Sequence, residues 1–138
     1  MAQAFNTPGI VQPFGIFSSA AWLPEGKTLF VSGHVSQDAD GATVGAGDIR
    51  VQTRTALENI QAVLASVGGT MADIAKVTVF ITDATMINEI HEVRAEFFEP
   101  PYPASTLVQV AQLIDPEWLI EIEAVAVIPF DRVREVPA

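Results

Sequence analysis

The strongest constraint on the fold comes from an extended apolar segment near the C-terminus, Ile120–Ile128, which reads IEIEAVAVI. In a β-strand successive side chains point to opposite faces, so the two acids share one face with Val125 and Val127, and the other face is wholly apolar. Such a strand is buried, with its acids at the edge of an apolar surface. One interpretation is that the sheet emerges into water there, because lone acids are usually solvated. The other is that an acid faces a partly desolvated pocket and holds a proton or a water for chemistry.

The rest of the chain alternates between strand-like and helix-like patterns. Two β-rich runs separated by the turn sequence Leu23-Pro-Glu-Gly-Lys27 predict a hairpin. The order β-β-α-β-α-β-β follows, with strands over 15–22, 28–35, 76–82, 105–113 and 119–128 and helices over 48–67 and about 85–98. Two amphipathic helices can cover only one face of a mixed sheet, so the sequence predicts an α+β domain whose other face needs a partner. On the first helix, Arg54 and Glu58 are expected to form a solvated pair.

The bulk composition favours one domain that oligomerises. The 138 residues form a single unit, 1–138, long enough to bury a core. Hydrophobic residues make up 49% of the chain and charged residues only 17%, which is a low charged fraction for a small monomer that must cover its own surface.

The charge balance and the N-terminus exclude several classes of protein. Seven basic against seventeen acidic residues give a formal charge of −10, so phosphate backbones are repelled and no nucleic-acid partner is expected. There is no cysteine, hence no thiol nucleophile and no cysteine-based metal site. No signal peptide and no membrane-spanning apolar run is visible, and we therefore expect a cytoplasmic protein without membrane contact.

Several short phrases in order along the chain resemble one protein family. They are Phe17-Ser-Ser-Ala20, Leu29-Phe-Val-Ser-Gly33, Gln52-Thr-Arg-Thr-Ala-Leu-Glu-Asn-Ile60, Lys76-Val-Thr-Val-Phe80, Ala95-Glu-Phe-Phe98, Pro103-Ala-Ser-Thr106 and Ile120-Glu-Ile-Glu-Ala124. Together they resemble the Rid family, the reactive intermediate deaminases, also labelled endoribonuclease L-PSP. The resemblance covers nearly the whole chain.

The resemblance implies a chorismate-mutase-like fold, assembled as a homotrimer whose sheets form a central barrel, with ligand clefts between subunits. It also implies hydrolysis of small enamines and imines such as 2-aminoacrylate, without a metal or an organic cofactor. In deaminases an arginine grips the substrate carboxylate and a glutamate positions the attacking water. The matching glutamate here is Glu121, and the substrate-binding positions include Phe17, Ser32, Gly33 and Thr106.

The chain departs from the deaminase pattern at three positions. Ser105 stands where deaminases have the carboxylate-gripping arginine, Phe17 where the family often has tyrosine, and His91 where deaminases have asparagine. A serine hydroxyl cannot reproduce the charge or the bidentate geometry of a guanidinium, so the substrate is expected to differ from 2-aminoacrylate.

Two helix residues are candidates for compensating roles. Arg94 lies three residues after His91, on the same side of the helix, and is either a substitute anion anchor or a solvated surface arginine. His91 is either a general acid or base, or a structural cap on a neighbouring carbonyl. His34, His91 and Glu121 could imitate a metal site, but strand and helix spacing does not converge them, so no metal is predicted.

Two functions from different classes remain open. The first is a cofactor-free hydrolase that acts on imines, enamines or related reactive metabolites, with catalytic Glu121 and His91 and with Ser105 and Arg94 in the substrate site. The second is a non-catalytic trimeric module that binds a small metabolite in the same clefts. The presence of Glu121 favours the first, and the absence of the deaminase arginine favours the second.

Overall fold

A mixed four-stranded sheet forms the centre of the computed structural model, which describes residues 3–136. The strands are β1 (Gln3–Phe5), β2 (Ala20–Trp22), β3 (Lys27–His34), β4 (Ile74–Ile81), β5 (Ala104–Gln109) and β6 (Ile120–Ile128), and the helices are α1 (Ile49–Ser66) and α2 (Ile87–Arg94). Short 3₁₀ turns at Met71–Asp73 and Ala84–Met86 precede β4 and α2. The sheet order is β3-β6-β4-β5, so β3 and β5 are its two edges.

The extended apolar segment Ile120–Ile128 is an inner strand of this sheet. β6 pairs antiparallel with both β3 and β4, and its five alternate residues Ile120, Ile122, Ala124, Ala126 and Ile128 are buried. These side chains join the residues of α1 and α2 in one hydrophobic core. The alternation therefore places Glu121 and Glu123 on the face opposite the helices, which we call the open face.

Helix α1 begins and ends close to the predicted positions. The Asp48 carboxylate accepts a hydrogen bond from the Val51 N–H and caps the first turn. At the other end Gly68 has a φ of +87°, and any Cβ there would overlap the carbonyl oxygen of Arg132. A glycine is therefore required at this helix stop.

Exposed ion pairs join the two helices. Arg54 donates to the Glu96 carboxylate at 2.7 and 3.1 Å, and Arg50 pairs with Glu92. The expected solvated pair of Arg54 with Glu58 remains as a coulombic attraction, while the hydrogen bonds of Arg54 go to Glu96 in the segment after α2. Both helices lie on one face of the sheet, as predicted.

The predicted hairpin is wrong. β2 pairs with β1, and β3 pairs with β6 instead of with β2. The reason lies in the residues before β2, which run alongside the start of β5: the Ser18 N–H donates to the Pro103 carbonyl at 2.9 Å, and Ser18 bridges Ala104. This crossing carries residues 15–18 to the β5 edge, where they contribute to the candidate site.

Candidate functional site

The Glu121 carboxylate packs against a glycine at an irregularity between β3 and β6. The pairing register shifts between Val31 and His34, and Gly33 lies within this shift. A methyl group on Gly33 would lie 2.8 Å from Cδ and 3.0 Å from Cγ of Glu121 and would overlap a carboxylate oxygen. Glu121 is half-buried, and within residues 3–136 its carboxylate has neither an ion pair nor a hydrogen bond, so its oxygens are open to a water or a ligand. Ser32, which precedes Gly33 in the chain, is exposed. We call Ser32, Gly33 and Glu121 the acid cluster.

Arg94 is buried, contrary to the surface-arginine alternative. Only 1% of the residue is exposed, and its Nη2 donates to the Ile16 carbonyl at 3.0 Å and to Ser105 Oγ at 3.1 Å. The guanidinium thus reaches from α2 to the position where the deaminase arginine is replaced by Ser105. Burial lowers the pKa of Arg94 to about 10, so it remains positively charged at neutral pH.

No carboxylate neutralises this charge within the part of the chain that the structure describes. The arginine ion pairs there are those of Arg50, Arg54 and Arg132, and Arg94 is not among them. A buried charge is ordinarily paired, because desolvating an ion costs several kcal/mol. Arg94 is therefore a buried positive charge that pairs with no carboxylate in residues 3–136.

His91 lies against the N-terminal segment beside Arg94. A methyl group on Gly15 would lie 2.7 Å from Cε1 and 2.9 Å from Nε2 of the imidazole. Both ring nitrogens are buried and have no hydrogen-bond partner in the described residues, so the carbonyl-capping interpretation is wrong. Burial, and secondarily the charge of Arg94, lower the pKa of His91 below its ordinary value.

The remaining predicted residues divide between the two faces of the sheet. Phe17 is half-buried and packs edge-to-face on Phe14, with ring centroids 5.5 Å apart, next to the Ile16 carbonyl that Arg94 binds. Thr106 lies on the open face instead, where its hydroxyl accepts a hydrogen bond from Lys76 Nζ at 3.0 Å. The structure therefore separates Thr106 from Ser105, its neighbour in sequence.

We call the second group, Gly15, Ile16, Phe17, His91, Arg94 and Ser105, the arginine cluster. It includes two positions, Gly15 and Ile16, that the sequence analysis missed. Their contributions are a missing Cβ and a backbone carbonyl, and neither leaves a signal in a single sequence.

The acid cluster and the arginine cluster lie far apart within one chain. Glu121 pairs with Phe80, and Phe80 pairs with Val108 on β5. Two strand spacings separate Glu121 from β5 by about 10 Å, and the three residues from Val108 back to Ser105 add about 10 Å along the strand. The two side chains also point to opposite faces. A small ligand cannot touch both clusters in one chain.

Residues 3–136 contain neither a metal-binding cluster nor a membrane-spanning helix. No group of three or more His, Cys, Asp or Glu side chains converges in a way that could hold a metal ion. None of the helices there has the length and apolar character needed to cross a bilayer.

Comparison with known proteins gives the family. The sequence model of the family described as endoribonuclease L-PSP matches residues 10–128. The chain belongs to this family, the Rid family. A RutC family protein of Pyrococcus horikoshii is 37% identical over 91% of this chain and 98% of its own length. A 2-iminobutanoate/2-iminopropanoate deaminase of Dermatophagoides farinae is 34% identical over 89% of this chain and 94% of its own length.

Solved Rid structures have the same fold. A Rid family protein of unknown function from Yersinia pestis superimposes with a TM-score of 0.84 at 31% identity, covering 92% of this chain and 98% of its own. RidA from an Antarctic Psychrobacter gives a TM-score of 0.70 at 29% identity, covering 91% and 99%. The mixed α+β fold expected from the resemblance is thereby confirmed.

Proposed function

We propose that this Rid protein is a cofactor-free hydrolase of small imines, enamines or related reactive metabolites, with a substrate that differs from 2-aminoacrylate. The observation that carries the proposal is the Glu121 carboxylate, half-buried over Gly33 and free of any hydrogen bond or ion pair within residues 3–136. The name of the deaminase relative from Dermatophagoides farinae supports the reaction class.

The chemistry requires only water. Glu121 accepts a proton from a water whose oxygen attacks the imine carbon, while the imine nitrogen takes up a proton from solvent. The carbinolamine that forms then breaks its C–N bond: Glu121 returns its proton to the nitrogen, which leaves as ammonia, and the hydroxyl proton passes to solvent as the carbon becomes a carbonyl. A positioned carboxylate suits both proton transfers. His91, with two unengaged ring nitrogens, is the second candidate acid or base.

We further propose that the complete site forms between chains of a homotrimer. The two clusters lie toward opposite edges of the sheet and too far apart for one small molecule, so juxtaposing them needs the β3 side of one chain and the β5 edge of another. The open face supports an assembly, because Phe30 is 80% exposed there. Large apolar side chains exposed in this way are typical of interaction surfaces.

Light scattering tests the assembly. We expect a trimer mass at micromolar concentration, and a smaller mass for Phe30→Asp, which puts a charge on the open face. Ala62→Asp on the exposed side of α1 is the control and should stay trimeric. A monomer mass for the wild type would refute the assembly.

Ammonia release tests the reaction, with imines generated in situ as substrates. Glu121→Gln is nearly isosteric and should keep the fold while turnover falls roughly 10²-fold. Glu123→Gln, two residues along the same face but exposed, should have a much smaller effect. If both variants turn over like the wild type, the carboxylates are only the solvated end of a strand.

The non-catalytic alternative is supported by Ser105. The site has no guanidinium on β5, and the Nη2 of Arg94 is already engaged by two acceptors. If a small metabolite binds in the assembled protein but no imine is hydrolysed, the metabolite-binding module is the better description.

A further inference from the structure

Arg94 is the most unusual charge in the described structure. It is 1% exposed, whereas the side chains of Arg50, Arg54 and Arg132 are 39–45% exposed and each is paired with a carboxylate. Burying a charge without a charged partner costs free energy that an apolar side chain would not cost. Stability alone therefore does not account for an arginine at this position.

The guanidinium of Arg94 donates a hydrogen bond to one side-chain hydroxyl, that of Ser105. Nη2 donates to Ser105 Oγ at 3.1 Å and to the Ile16 carbonyl at 3.0 Å. A hydroxyl has one proton to donate, and its lone pairs accept. Because Oγ accepts from the guanidinium, its own proton points away from Arg94, and within residues 3–136 no acceptor engages it.

This arrangement strengthens Ser105 as a donor. A hydrogen bond from a cation polarises the acceptor hydroxyl, and chained hydrogen bonds reinforce one another in a low-dielectric interior. Ser105 is half-buried, so its hydroxyl is more accessible than the guanidinium behind it. Phe17 follows Ile16, whose carbonyl Arg94 also binds, and His91 precedes Arg94 by about one helical turn.

We propose that Arg94 is a positioning residue that polarises Ser105, and that the pair gives the site a preference for a ligand bearing a small anionic oxygen group such as a carboxylate. Ser105 makes the contact through one hydrogen bond, and Arg94 supplies the charge without touching the ligand. Because Nη2 is occupied and the guanidinium is buried behind Ser105, the anion meets the single hydroxyl and not a two-pronged arginine fork. The inference rests on the proposed function only in taking this cleft as the ligand site.

Binding without turnover tests the proposal. The probes are pyruvate and pyruvamide, which have the same carbon skeleton and differ in the charge of the terminal group. Calorimetric or NMR titration of the wild-type protein should show pyruvate bound at least about tenfold more tightly, the difference expected for a charge-assisted contact. Equal affinities, or no binding of either probe, would overturn the proposal.

Variants of the pair separate electrostatics from packing. Arg94→Met should bring the affinity ratio close to one, and Arg94→Lys, which keeps the charge, should restore part of it. Ser105→Ala leaves Arg94 bonded to Ile16, so the fold is retained, and it should weaken pyruvate binding at least about tenfold. Arg54→Met removes a distant exposed charge and should leave the ratio unchanged. An undiminished preference in Arg94→Met or in Ser105→Ala contradicts the inference.

These measurements are independent of catalysis. A carboxylate preference that depends on Arg94, together with no ammonia release from any imine, would refute the proposed hydrolase and sustain the inference. Turnover of imines without any preference for a charged ligand would sustain the proposed hydrolase and refute the inference.

Discussion

Gly33 leaves room for the Glu121 carboxylate because it has no Cβ atom. Its backbone is not in the left-handed region, so alanine is compatible with the local conformation. The added methyl would nevertheless overlap the Glu121 carboxylate. We expect Gly33→Ala to leave the fold intact, to displace the carboxylate and to lower imine turnover about tenfold or more, since catalytic groups tolerate little misplacement.

A double-mutant cycle identifies the route of this effect. If Gly33→Ala acts by displacing the carboxylate, it should cost little when added to Glu121→Gln, because the two changes remove the same contribution. Full additivity of the two losses would mean that Gly33 acts elsewhere.

His91 makes stability depend on pH. Its pKa is lowered in the folded protein, by burial first and by Arg94 second, and the facing Gly15 backbone offers no compensating carboxylate. As pH falls below about 6.5, the unfolded chain binds a proton before the folded one does, so the free energy of unfolding decreases with falling pH. The slope for one proton is at most about 1.4 kcal/mol per pH unit.

Urea unfolding at fixed protein concentration between pH 5 and 8 checks this expectation. His91→Gln should remove most of the slope in the mildly acidic range, whereas His34→Gln should retain it. A slope unaltered by His91→Gln would assign the dependence to other groups.

The burial of Arg94 could be read only in part from the sequence. Its position four residues after Ile90 and one after Val93 places it at the edge of the apolar stripe of α2, and both of those residues are buried. Spacing cannot tell whether a long charged side chain at that edge turns outward or inward. The deciding contacts, Ile16 and Ser105, come from distant segments that helical periodicity does not encode.

Among the helices and strands, the sequence predicts correctly those features that neighbouring residues determine. Helix α1 was predicted to within one residue at each end because Asp48 caps it and Gly68 stops it. The hairpin failed because turn residues at Pro24 and Gly26 indicate only a reversal of the chain. They do not specify which strand β3 pairs with, and β3 pairs with the distant strand β6.

The cap of α1 gives a stability prediction at this scale. Asp48→Ala removes the hydrogen bond from the Val51 N–H, 3.1 Å long, and should lower the free energy of unfolding by about 1 kcal/mol. Asp40→Ala, at an exposed loop aspartate, is the matched control and should change little. Chemical denaturation of both variants gives the comparison, and equal losses would argue against the cap.

At the scale of the whole molecule, the distance between the two clusters explains why one chain alone does not form the complete proposed site. The acid cluster and the arginine cluster each form from local packing, yet the sheet holds them about 10 Å apart in each of two directions. The sequence resemblance implied clefts between subunits, and the separation of the clusters gives that expectation a geometric reason. In the proposed trimer, substrate choice becomes a property of the assembly, because Glu121 and the proposed anion-binding group come from different chains.

Hydrolysis of 2-aminoacrylate is the sharpest test of that substrate choice. The positive charge missing from position 105 is present after all, supplied by Arg94 at 3.1 Å from Ser105 Oγ. Its Nη2 is engaged with two protein acceptors and the guanidinium is buried, so the contact that we propose for a carboxylate is the single Ser105 hydroxyl, and a bidentate arginine contact is both stronger and better oriented. We expect catalytic efficiency toward 2-aminoacrylate to be about tenfold or more below that of an arginine-bearing Rid deaminase, measured side by side by ammonia release. The exchange variant Arg94→Ser with Ser105→Arg moves the guanidinium onto β5 and should raise that efficiency, whereas wild-type rates equal to those of the deaminase would show that a single-point contact suffices.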